Sequence, residues 1–220
     1  MRIGVLLAGC GHYDGTDAAE AVLTLLALEA AGEKPVLLAP SGAQDRTVDH
    51  LTGDAVEEIR DARRESARLS RSPVRALSEH PPELLEALII PGGYGPVVNL
   101  ATGFARPGAG RSILPEVAQF IGHFLEGRKP IGMISLGEVP VRMILGQEID
   151  PPAPPAGPGT PVVDRERRLV STPGFAAFNR LQDVRAGIEA MVAEMLRLLE
   201  EKGREERAAA AGPAPAGGTP

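Results

Sequence analysis

Three short apolar runs in this chain each break off in a glycine-bearing turn. Ile3-Gly-Val-Leu-Leu-Ala8 leads into Gly9-Cys10-Gly11-His12-Tyr13-Asp14-Gly15, and Leu88-Ile-Ile90 leads into Pro91-Gly92-Gly93-Tyr94-Gly95. Pro130-Ile-Gly-Met-Ile134 leads into Ser135-Leu136-Gly137. Runs without polar alternation are how strands buried on both faces read, and such strands belong to parallel sheets covered by helices. Helical segments lie between them: Asp17 to Ala31, stopped by Gly32, then Pro115 to Leu125, Leu136 to Leu145 and Asp183 to Lys202. Strands alternating with helices predict one doubly wound α/β sheet, in which ligands bind beyond the strand carboxyl ends. The three turns are therefore expected to converge on one edge.

Pro35 to Ala39 completes a first βαβ unit. Asp54 to Ser70 alternates acid and base and reads as an exposed helix, while Val162-Val163 and Leu169 to Ser171 read as a hairpin around Arg165 to Arg168. Six prolines between Pro151 and Pro161 exclude helix and central strand, so this insert is expected to run extended. Residues 203–220, rich in Ala, Gly and Pro without an apolar stripe, are expected to be a disordered tail after a single domain over 1–202. A net charge of −6 argues against nucleic-acid binding, and the single cysteine excludes an internal disulfide and a multi-cysteine zinc site. No run is long enough for a membrane span, so the expected location is the cytoplasm. Neither a metal nor a cofactor is expected.

Each turn offers a candidate for chemistry beside a plainer reading. Gly9-Cys10-Gly11 lacks the third glycine of a dinucleotide fingerprint, and no acidic residue ends the second strand. Cys10 reads either as a nucleophile with a lowered pKa or as a small buried hydrophobe. Gly92 and Gly93 let main-chain N–H groups face an anion, or make a tight turn. Ser135 stands where a nucleophile elbow would be, although only Gly137 meets the usual glycine frame, and a serine N-cap competes. Glu20 either reaches across the strand ends towards residue 135 as base or proton donor, or closes a capping box with Asp17. His12 either titrates in the first loop or is solvated.

The runs GCGHYDGTDAAEAVLTLLAL, VDHLTGDAVEEIRDARRESARLSR, ALIIPGGYGPVVNLA, KPIGMIS and VVDRERRLVSTPGF occur in that order. Together they resemble the ElbB-type branch of the PfpI-like superfamily, isoprenoid-biosynthesis or glyoxalase-like proteins with a class I glutamine amidotransferase-like fold. The resemblance covers roughly residues 2–202 apart from the proline segment. It implies a flavodoxin-like three-layer α/β sandwich with a mainly parallel sheet, homodimers, and cofactor-free conversion of small 2-oxoaldehydes to hydroxy acids. It also implies an elbow cysteine beside a glutamate, positions that correspond here to Ser135 and Glu20. Cys10 matches a first-loop cysteine of that branch, and the N–H groups near Gly93 and Leu136 stand where oxyanion donors would. Gly92, His12, Asn99 and Glu138 complete the expected substrate contacts.

Two departures stand out. Serine replaces the elbow cysteine, followed by Leu136-Gly137-Glu138 in place of a small apolar stretch ending in proline, and the proline insert replaces a longer family segment. A serine hydroxyl is almost wholly un-ionised at neutral pH without a strong base. Three functions remain open: a carbonyl enzyme with Cys10 or Ser135 attacking and Glu20 shuttling the proton, a metabolite- or protein-binding accessory protein, or a non-covalent lyase or isomerase using Glu20 and Glu138.

Overall fold

The computed structural model describes residues 1–104, 108–147 and 157–211. Its strands are β1 (Arg2–Leu6), β2 (Lys34–Ala39), β3 (Thr47–Val48), β4 (Ala55–Val56), β5 (Val74–Ala76), β6 (Ala87–Ile90), β7 (Ala101–Thr102), β8 (Ser112–Ile113), β9 (Ile131–Ile134), β10 (Val162–Asp164) and β11 (Leu169–Thr172). Its helices are α1 (Ala18–Ala30), α2 (Ala62–Ser66), α3 (Gly95–Val98), α4 (Pro115–Glu126), α5 (Glu138–Ile144) and α6 (Leu181–Ala211). One seven-stranded sheet runs β10-β11-β9-β6-β1-β2-β5, parallel throughout except for the β10–β11 hairpin at its edge. β3–β4 and β7–β8 form two small separate hairpins.

Alternation of side chains along the strands explains the unbroken apolar runs. Val5 and Leu7 face α1 and α6 together with Ile89, Ile134, Ile188 and Met191, whereas Leu6 and Ala8 face α4 with Leu88, Ile90, Phe120 and Phe124. Both faces of β6, of β9 and of β1 beyond the exposed Arg2 are covered, so no polar position is available there. The result is the flavodoxin-like α/β sandwich.

Two expectations from the sequence are corrected. Asp54 to Ser70 is not one helix: β4 pairs back on β3, the Arg60 carbonyl accepts from the Gln44 N–H at 2.8 Å, and the helix starts only after Asp61. Asp61 caps it through the Arg64 N–H at 2.8 Å, and the acid–base alternation before that cap is a solvated strand edge. The tail also orders further than expected, because α6 continues to Ala211. Arg197 pairs with Glu201 and Lys202 with Glu206 one turn on, Arg168 grips the Leu198 carbonyl and Glu205, and Ala208 onward favours helix. Residues 212–220, and 151–156 of the proline insert, lie outside the described residues.

Candidate active site

Helix α1 starts at Asp17, whose carboxylate accepts from the Glu20 N–H at 3.0 Å. The return half of a capping box would need the Glu20 carboxylate on the Asp17 N–H, but that N–H donates to the Gly92 carbonyl at 2.9 Å. The Glu20 side chain turns across the strand ends instead. Its Oε2 accepts the Gly92 N–H at 2.9 Å and its Oε1 accepts the Phe175 N–H at 3.0 Å. Glu20 is 1% exposed, and burial pushes its pKa up to about 7; Asp17 adds to the rise, while the two N–H donors hold it down. A carboxyl poised there exchanges protons at neutral pH.

Ser135 closes β9 with φ +51°, a left-handed conformation outside the usual range of a residue with a side chain. It is the tip of a sharp strand-to-helix elbow and lies inside the short helical turn Ser135–Gly137, whose N-cap position is Ile134. A Cβ on Gly92 would stand 2.5 Å from Glu20 Oε2 and 2.7 Å from Ser135 Cβ, so carboxyl and hydroxymethyl flank the same small space. Among the described residues, no loop hydrogen bond takes up the N–H of Gly93 or Leu136. Replacing Ser135 by glycine relieves the left-handed strain, so stability is expected to rise by about 1 kcal/mol. The check is a higher urea midpoint with unchanged m.

The structure brings Glu20, Gly92 and Ser135 together, with Gly93 and Leu136 adjoining them in the chain, and turns Asn99, Glu138, His12 and Cys10 to other partners. Asn99 is not turned towards a substrate, because its polar atoms are committed to main chain. Nδ2 donates to the Ala8 and Asp14 carbonyls, both at 2.8 Å, and Oδ1 accepts the Asp45 N–H at 3.1 Å. It pins the loops around the site, and Asn99→Ala is expected to lose about 2–3 kcal/mol of stability through groups left unpaired, a melting temperature lower by roughly 6 °C. Glu138 is buried on α5 with Oε2 on Arg142 at 2.8 Å. His12 contributes its carbonyl, which accepts the Tyr94 N–H at 2.7 Å, while its exposed ring rests on Tyr13. The Cys10 thiol is raised, not lowered: burial is the main cause and Glu65 adds to it. It packs against the core under β1, which corrects the expectation of an activated thiol.

The sequence reading missed the fourth turn. After β11, Gly174 has φ +52°, and a Cβ there would collide with Glu20 Oε1. The signal was available, since Thr172-Pro173-Gly174-Phe175 is again a glycine turn directly after a buried strand.

No protein-family model matches the chain. The mitochondrial ES1 protein homolog of Rattus norvegicus is 31% identical over 223 residues, spanning 90% of this chain and 84% of that protein. The human mitochondrial glutamine amidotransferase-like class 1 domain-containing protein 3 is also 31% identical over 223 residues, spanning 90% of this chain and 83% of that protein. This chain belongs to the ES1 family of glutamine amidotransferase-like class 1 proteins. The crystal structure of an Ehrlichia chaffeensis isoprenoid biosynthesis protein with an amidotransferase-like domain agrees, with TM-score 0.82 and 29% identity over 90% of this chain and 99% of that one. A Schizosaccharomyces pombe DJ-1 variant shares the fold, at TM-score 0.51 and 18% identity over 91% of each chain. The ElbB-type, PfpI-like assignment made from the motifs therefore stands for this ES1-family chain. Its expected cytoplasmic location does not, because the rat, human and Danio rerio relatives are mitochondrial proteins.

Proposed function

We propose that this ES1-family protein converts a small 2-oxoaldehyde and water into the corresponding 2-hydroxy acid. The observation that supports it is a buried glutamate with a pKa of about 7, beside a hydroxyl on a strained elbow. Ser135 Oγ adds to the aldehyde carbon while its proton passes to the Glu20 carboxylate, and the new oxyanion faces the Gly93 and Leu136 N–H groups. Glu20 gives that proton to the oxyanion to form the hemiacetal, then takes the hydrogen from the former aldehyde carbon. The resulting enediolate is reprotonated by Glu20 on the neighbouring carbon while the hydroxyl proton of the former aldehyde carbon passes to the neighbouring oxygen, leaving an ester on Ser135. Water cleaves the ester, freeing the hydroxy acid and the serine. Serine makes the first addition the slow step, because no alkoxide is formed in advance.

Incubating the purified chain with methylglyoxal is expected to yield lactate in proportion to protein, with kcat/KM inflecting near pH 7. Lactate no faster than in buffer would overturn the enzymatic reading and leave the site a binding one. Self-association, which the family resemblance implies, belongs to the same proposal, with the exposed Val22 and Leu26 of α1 as its apolar contact. Light scattering should then report about twice 23.0 kDa.

A further inference from the structure

Loop 9–15 and the β3–β4 hairpin meet over two facing acceptor atoms. Asp14 is fully buried; its Oδ2 accepts the Val48 N–H at 2.7 Å, while Oδ1 has no hydrogen-bond partner. His50 stands opposite, with Nε2 3.8 Å from that oxygen. Its Nδ1 is 3.1 Å from the Val48 carbonyl, which only accepts, so Nδ1 carries the hydrogen and Nε2 of the neutral ring carries a lone pair. The Tyr13 N–H reaches this lone pair only at a long 3.4 Å. A buried carboxylate oxygen and an imidazole nitrogen thus face each other, the oxygen without a hydrogen-bond partner among the described residues.

From this geometry we propose a zinc(II) site made by Asp14 Oδ1 and His50 Nε2, with His12 as third ligand and water as fourth. An ion about 2.0–2.2 Å from each atom fits the 3.8 Å gap after a closure of a few tenths of an ångström. Gly11 leaves the room: a Cβ there would stand 2.6 Å from His50 Nε2 and 3.0 Å from Asp14 Oδ1. The outer contacts have the form metal sites use, with the other imidazole nitrogen held by a main-chain carbonyl and the other carboxylate oxygen by a main-chain N–H. The mixed nitrogen and oxygen donors suit zinc better than magnesium or calcium. The exposed His12 ring lies edge-on to His50, with centroids 5.4 Å apart. Among the described residues no three such side chains already converge, so His12 joins by rotating its side chain. The ion clamps the hairpin to the loop whose His12 carbonyl holds Tyr94. It takes no part in the carbonyl chemistry proposed above and stands or falls apart from it.

Calorimetric titration of the chelator-treated full chain with zinc chloride at pH 7.5 tests the site. One equivalent is expected to bind, with the melting temperature rising by about 5 °C at a hundredfold excess over Kd. His50→Gln, whose side chain is 35% exposed and whose metal-free melting temperature checks its fold, is expected to weaken binding about 100-fold. Asp14→Asn should do the same, and Cys10→Ser should bind as the wild type does. With cobalt(II) in place of zinc, the spectrum should lack a thiolate charge-transfer band. Equal zinc affinity in the wild type and His50→Gln would overturn the site, as would no binding at 1 mM zinc.

Discussion

Replacing Glu20 by glutamine is expected to lower kcat/KM for methylglyoxal by about 10³-fold, within the range for loss of a positioned acid–base group. The same substitution should remove a pH dependence of stability. The carboxyl has a folded pKa of about 7 against an ordinary 4.5, so between these values the native protein holds a proton that the unfolded chain has released. Unfolding free energy therefore falls as pH rises through that window and levels off above 7, by about 3 kcal/mol in all. Calorimetry of the wild type should show a melting temperature roughly 6–10 °C lower at pH 8 than at pH 5 from this group. Glutamine lacks that difference, but its NH2 group opposes one of the N–H donors of Gly92 and Phe175 and so lowers stability at both pH values. Turnover in the variant equal to wild type would take Glu20 out of the reaction. An unchanged pH slope would mean that the buried proton sits on another group.

Ser135→Cys should raise the same kcat/KM at least about 100-fold, because a thiol ionises near pH 8.5 and a serine hydroxyl far above it. The substitution keeps size, elbow and left-handed backbone, and the thiolate would be formed before the aldehyde arrives. Neutral Glu20 beside it would donate to the sulfur, which favours ionisation, whereas charged Glu20 would oppose it, so the gain should be largest just below pH 7. Iodoacetamide labelling of residue 135 against Cys10, whose thiol is raised by burial, gives an independent readout. No gain in rate, with the variant folded and labelled at 135, would show that the surroundings have diverged along with the nucleophile.

Much of the fold was legible in the chain. β1, β6 and β9 reveal themselves because a strand covered on both faces has no polar position, and α1 because Asp17 and Gly32 mark its ends. The 54–60 stretch was not legible. Its charges suit a helix surface as well as a solvated strand edge, and pairing with β3 decides between them. Helix α6 outran its expected end because side-chain pairs and the grip of Arg168 outweigh the missing apolar stripe after Lys202. At the site, the strand end at Ser135 was legible but not whether it made an elbow or an N-cap, and the role of Asn99 was not legible, since its partners Ala8, Asp14 and Asp45 are brought to it only by folding.

By itself the sequence determined that glycine turns would close the carboxyl ends of several buried strands, with a hydroxyl at the end of one and an acid near the start of the helix that follows another. Local geometry suffices for that: apolar runs, a cap and a strand-to-helix junction involve residues a few positions apart. Which of its two readings Glu20 follows was decided by tertiary structure alone. The Gly92 N–H and, 155 residues along the chain, the Phe175 N–H draw the carboxylate across the strand ends, and packing removes the water that would have kept its proton off. Hydrogen bonds over that span, and the burial that goes with them, exist only once the sheet has assembled.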